Sequence, residues 1–129
     1  MKAALLDTHA FLYWVAGGTE LSPAARSFIS KPGNEIWVSQ VTAWELASKA
    51  GQGKIKLSCL VSRFFSQHVE ANGFRLMGIE LDDVTSIESL PLHHRDPFDR
   101  LLIVQAANRK LPVVTSDRTF STYSIKRIW

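Results

Sequence analysis

Apolar residues along the chain fall into runs of two lengths, and turn residues separate nearly all of them. Lys2 to Leu6 is a short apolar run, and "EIWVS" (35–39), "FRLMGI" (74–79), "LPVVTSD" (111–117) and "SIKRIW" (124–129) are short and carry β-branched or aromatic residues. They predict strands. Between them lie longer stretches with apolar positions at helical spacing. The first runs to Val15 and stops at Gly17-Gly18, and the second has Ser22 as N-cap, Pro23 at N1 and an end near Ser30. A third, capped by Ser39, carries Val41, Trp44, Ala47 and Ala50 on neighbouring faces and ends near Gly51 or Gly53. Leu57 to Ala71 predicts an amphipathic helix closed by Asn72-Gly73, and "LDDVTSIESL" (81–90) a short one stopped by Pro91. The last spans 97–110 with an apolar face of Leu101, Leu102, Gln105 and Ala106. Strands alternating with helices predict an α/β fold with a parallel sheet covered on both faces. In such sheets, sites gather at the carboxyl ends of the strands.

That rule draws attention to four acids. Asp7 follows the first strand and Asp117 a later one; Glu45 sits in the second turn of the helix after the second strand, and Asp99 in the first turn of the helix at 97. Each has a local use. Asp96 is a good N-cap before Pro97, Asp99 at N3 gains from the helix dipole, and Glu45 can pair with Lys49 at i,i+4. Asp7 and Asp117 can each cap a helix after its strand. Yet all four fall on one predicted rim, and clustered carboxylates repel unless some are protonated or a cation sits among them. Oxygen-only ligands select Mg²⁺ or Mn²⁺. The histidines offer no zinc spacing: His93-His94 lack the i,i+4 arrangement and no cysteine supports them, while His9 and His68 read as structural or surface residues.

Composition narrows the class without changing it. At 129 residues, with 46% hydrophobic and 21% charged residues, the chain reads as one globular domain, 1–129. Its single cysteine, Cys59, excludes an internal disulfide and suits a reducing cytoplasm. Asp7 and His9 interrupt the opening apolar run, which fits neither a signal peptide nor a membrane span. The net charge of +3 is unevenly placed: residues 1–94 carry eight Lys/Arg against nine Asp/Glu, and residues 95–129 seven against three. With the aspartates neutralised, that end would attract a polyanion. Walker A, dinucleotide-binding and nucleophile-elbow motifs are absent.

The chain resembles the PIN domains, and within them the VapC-type toxins of type II toxin–antitoxin pairs. The resemblance rests on "LLDTHAFLYW" (5–14), "LSPAAR" (21–26), "EIWVSQVTAWELASKAGQGKI" (35–55), "LPLHHRDPFDRLLIVQA" (90–106), "VVTSD" (113–117) and the final Ile128-Trp129. It implies a three-layer α/β/α PIN-like fold with a central, mostly parallel sheet of four or five strands. Carried over by position, the family's acidic quartet falls on Asp7, Glu45, Asp99 and Asp117. Asp96 is an extra acid placed as a cap that supports the site, and Thr8, Thr115 and Ser116 are polar positions beside the acids.

The resemblance further implies a ribonuclease dependent on Mg²⁺ or Mn²⁺, with Asp7 and Asp99 as primary metal ligands and Asp117 and Glu45 completing the set. Lys49, Arg100 and Arg118 are candidates for contact with RNA phosphates. The implied partners are an RNA substrate, a VapB-type antitoxin and a second copy of the chain, in the cytoplasm and not at a membrane. The main alternative is a non-catalytic PIN-like module that binds RNA or protein, which would have no use for a repulsive acidic cluster. A phosphohydrolase with an aspartyl nucleophile at Asp7 is disfavoured, since "DTH" lacks the usual second aspartate two residues on.

Overall fold

The computed structural model describes residues 2–129. In chain order its elements are β1 (Ala3–Leu6), α1 (Thr8–Ala16), α2 (Pro23–Ser30), β2 (Glu35–Ser39), α3 (Gln40–Gly51), α4 (Val61–Ala71), β3 (Arg75–Met77), α5 (Leu81–Ser86), α6 (Pro97–Arg109), β4 (Val113–Val114) and β5 (Arg127–Ile128). Short 3₁₀ segments at Ile87–Ser89 and Arg118–Tyr123 follow α5 and β4. All strands are parallel in one sheet ordered β3-β2-β1-β4-β5. This is the three-layer α/β architecture that the alternating pattern predicts.

Strand alternation builds both cores. Ala4 and Leu6 of β1 join Ile36, Val38 and Val114 on one face, where Phe11 of α1, Ala25 and Ile29 of α2 and Phe65 of α4 cover them. Leu5 and Val113 point the other way, against Leu102, Ile103 and Ala106 of α6. Helix α6 lies so deep that every residue from Leu101 to Ala106 is buried, a wider face than the predicted stripe. Gln105 is fully buried because both ends of its amide are bonded: Oε1 accepts from the Ser39 hydroxyl at 2.6 Å, and Nε2 donates to the Gly78 carbonyl at 3.1 Å. That pair of bonds ties α6 to the ends of β2 and β3.

Three helix boundaries or faces differ from the sequence pattern. Helix α4 begins at Val61 rather than Leu57, because the first carbonyl to accept helical N–H groups is that of Leu60, which takes those of Arg63 and Phe64. The segment at 81–90 tightens from α to 3₁₀ at Ile87 before Pro91. In α3 the buried residues are Val41, Thr42, Glu45 and Leu46, while Trp44 is exposed and packs edge-on to Phe98, ring centroids 4.6 Å apart. The helix thus turns a carboxylate inward and an indole outward, the reverse of what hydrophobicity predicts.

Candidate active site

The chain reverses direction across the sheet at β1, which pairs with β2 on one side and β4 on the other. A crevice forms at such a switch point, outside the carboxyl ends of the strands. Asp7 leaves β1 there and caps α1, its Oδ1 accepting from the Ala10 N–H at 2.7 Å. Asp117 follows β4 and caps the next 3₁₀ turn through the Thr119 N–H at 2.9 Å. Asp96 caps α6, its Oδ1 accepting from Phe98 and Asp99 at 2.9 and 3.0 Å. The local uses that the spacing predicts for these acids are therefore real. They also fix where each carboxylate stands.

One imidazole joins them. His94 Nε2 lies 2.8 Å from Asp117 Oδ2 and 3.2 Å from Asp99 Oδ2. Along the chain His94 lacks the spacing of a zinc ligand; the turn from Pro91 to Asp96 nonetheless folds it into the acidic cluster. Its signal in the sequence is adjacency to the acidic helix cap, not periodicity.

The charges press on one another. Burial pushes the Asp7 carboxyl above its ordinary range, and the negative charge of Asp117 adds to this, against the Thr115 hydroxyl and the Ala10 N–H, which favour the ionised form. Asp99 is pushed up to about 7, first by burial and then by Asp96, with Asp7 and Glu45 contributing further repulsion and His94 partly offsetting it. Asp117 goes the other way. Burial raises it, but the Thr119 backbone N–H and the His94 ring outweigh that and hold its carboxyl below the usual range. Lys49 bonds Glu45 Oε2 at 2.5 Å, and that bond raises the ammonium pKa. Glu45 Oε1 is buried with no hydrogen-bond partner.

An unpartnered buried carboxylate oxygen beside mutually repelling acids has a deficit of positive charge. The donor set is rich in carboxylate oxygens, which suits a hard divalent cation. The residues present fit such an ion.

The PIN domain profile matches residues 4–126. The chain belongs to the PIN domain family. Ribonuclease VapC22 of Mycobacterium tuberculosis is 32% identical over 124 residues, covering 95% of this chain and 93% of that protein. Among solved structures, VapBC2 from Rickettsia felis bound to a DNA fragment from its promoter superposes with a TM-score of 0.69 at 11% identity, over 97% of this chain and 96% of that one. FitAcB from Neisseria gonorrhoeae superposes with a TM-score of 0.65 at 14% identity, over 98% and 96%. At these identities the structural matches speak for the fold.

Within this PIN domain the other positions singled out in the sequence fall into place unevenly. The buried Thr115 hydroxyl accepts the Asp117 N–H at 3.0 Å and also favours the ionised form of Asp7, so it acts on two of the acids. Thr8 turns to Thr42 instead, Oγ1 to Oγ1 3.2 Å, and pins the start of α1 to α3. Ser116 and Arg118 are exposed at the rim. Arg100 is engaged with main chain: its guanidinium donates to the carbonyls of Leu90, Pro91 and His94 at 3.0 to 3.2 Å. No helix of the described residues is long and apolar enough to cross a membrane.

Proposed function

We propose that this chain is a metal-dependent ribonuclease and the toxin of a VapBC-type pair, acting as a single PIN domain over residues 1–129. The observation that carries the reading is the meeting of acids from separate elements at the sheet's switch point, with Glu45 Oε1 buried and unpartnered among them. Family membership and the likeness to a protein named a ribonuclease support the activity. Asp7 and Asp99 would hold a Mg²⁺ or Mn²⁺ ion, with Asp117 and Glu45 completing the set. When bound, the ion supplies compact positive charge that polarises the scissile phosphodiester and acidifies water beside it.

The chain's own groups do the rest. The buried Thr115 hydroxyl holds the Asp117 backbone and stabilises the charge of Asp7. Glu45 Oε1 has lone pairs free to take the proton that an attacking water sheds. Arg118, exposed and next to Asp117, is the best-placed of the three candidate cations to meet an RNA phosphate, since Arg100 serves its loop and Lys49 serves Glu45. Solved VapBC complexes of similar fold support an antitoxin partner. The proposed setting is a homodimer in the cytoplasm.

The test is cleavage of total cellular RNA by the purified chain. Mg²⁺ or Mn²⁺ should support cleavage, EDTA should stop it, and folded Asp7→Asn should lack it. Cleavage that persists in chelator, or in Asp7→Asn at the wild-type rate, rejects the reading. Light scattering on the isolated chain checks the dimer, and co-purification of a small protein encoded beside it checks the antitoxin.

A further inference from the structure

His94 is held more firmly than an incidental surface residue. Its ring stands edge-on to Phe120, centroids 5.9 Å apart at 89°. The Tyr123 hydroxyl accepts the N–H groups of His93 and His94 at 2.9 and 2.7 Å and donates to the Pro91 carbonyl at 2.7 Å. Arg100 clasps the same turn from the other side through Leu90, Pro91 and His94. Two side chains from different elements thus fix the backbone that carries the imidazole.

The two ring nitrogens face different partners. Nδ1 accepts the Asp96 N–H at 3.1 Å, while Nε2 faces carboxylate oxygens of Asp117 and Asp99. A nitrogen that accepts carries no proton, so in the neutral ring the proton sits on Nε2. A metal-bound histidine has the opposite polarity: it ligates through one bare nitrogen and donates the N–H of the other to a carbonyl or carboxylate. Although Nε2 lies within 4.8 Å of oxygens of Asp99 and Asp117, its surroundings make it a donor and not a ligand.

We infer that His94 is a positioning residue, whose Nε2–H donates to Asp117 and stands 3.2 Å from Asp99, and that it aims those two carboxylates at a shared ion while staying outside its coordination. This rests on the proposed metal-holding role of the acids. Acids from α6 and the β4 rim are thereby held in one pocket by an imidazole that bonds Asp117, touches Asp99 and takes its own orientation from the backbone of the α6 cap.

Two measurements test it. Long-range ¹H–¹⁵N NMR of the metal-free protein at mildly alkaline pH should find His94 as the Nε2–H tautomer; an Nδ1–H tautomer overturns the inference. Calorimetric titration with Mg²⁺ and with Mn²⁺ should find His94→Leu weakened by about tenfold or more, the usual cost of losing an outer-shell partner. His94→Gln keeps an N–H at similar reach and should stay within about threefold of wild type for both ions. Equal weakening of the two variants, a selective loss of Mn²⁺ in His94→Gln, or unchanged binding in His94→Leu overturns it. Absence of metal binding by the wild type would reject the proposed function instead. The tautomer would still report on the donor role of His94.

Discussion

Asp83 and Asp99 occupy the same position, N3, of two different helices, and their environments could hardly differ more. Asp83 is only 1% exposed and fully answered: Arg109 meets both its oxygens at 2.8 and 2.9 Å, Asn108 donates at 3.1 Å and the Glu80 N–H at 2.9 Å. Burial would raise its pKa, but Arg109 and the other donors overcome that and hold it at about 2. Asp99 has the same helix-start advantage and is pushed up to about 7, because its neighbours are acids and only His94 answers it. One carboxylate locks α5 to α6. The other waits for a charge that the chain does not supply.

The largest expected effect separates the two in activity. Asp99→Asn should lower RNA cleavage by about a thousandfold, as loss of a metal-holding acid does, whereas Asp83→Asn should leave cleavage per folded molecule nearly unchanged. Comparable losses in both would erase the distinction. In stability the order reverses. Arg109→Met strands the Asp83 charge in the interior and should cost about 3 kcal/mol in urea unfolding, near the lower end for a broken buried pair because Arg109 itself is partly exposed. A loss well under 1 kcal/mol would mean that Asp83 finds water or another partner.

Their pH responses should run in opposite directions. Asp83 has a lowered folded pKa, so its contribution is full above about pH 4 and is lost as pH falls toward about 2. Asp99 has a raised one. The metal-free folded state binds its proton more tightly than the unfolded chain does, and stability falls as pH rises from about 4 through about 7. In EDTA at about pH 8, Asp99→Asn should therefore be more stable than wild type by about 1–2 kcal/mol, a gain that vanishes near pH 4. A less stable Asp99→Asn at alkaline pH would show that the acid serves α6 as a simple cap. The smallest effect is Asn108→Ala, which removes one of several donors from Asp83 and should cost about 1 kcal/mol.

The acids themselves are legible in the sequence. Asp7 stands directly after a short apolar run and Asp117 after a β-branched one, and Asp96-Pro97 announces a helix start, so the strand-end rule collects them on one rim. Glu45 is legible only as a position, since its i,i+4 lysine suggests an exposed pair; the structure buries it and leaves one oxygen unpartnered. His94 and Arg100 are not legible in their actual roles. Nothing in "LPLHHRDPFDR" says that Tyr123, about thirty residues later, will grip the turn and swing one imidazole inward.

What the sequence determined by itself is what local chemistry can encode: caps and proline starts, strand composition, and the alternation of elements that leads to a parallel sheet. The tertiary structure alone decided which side of α3 faces inward, which acid is neutralised and which left wanting, and which histidine enters the pocket. Those outcomes depend on groups brought close from distant parts of the chain, and electrostatic energies are set by separation and burial in space, which no local spacing records.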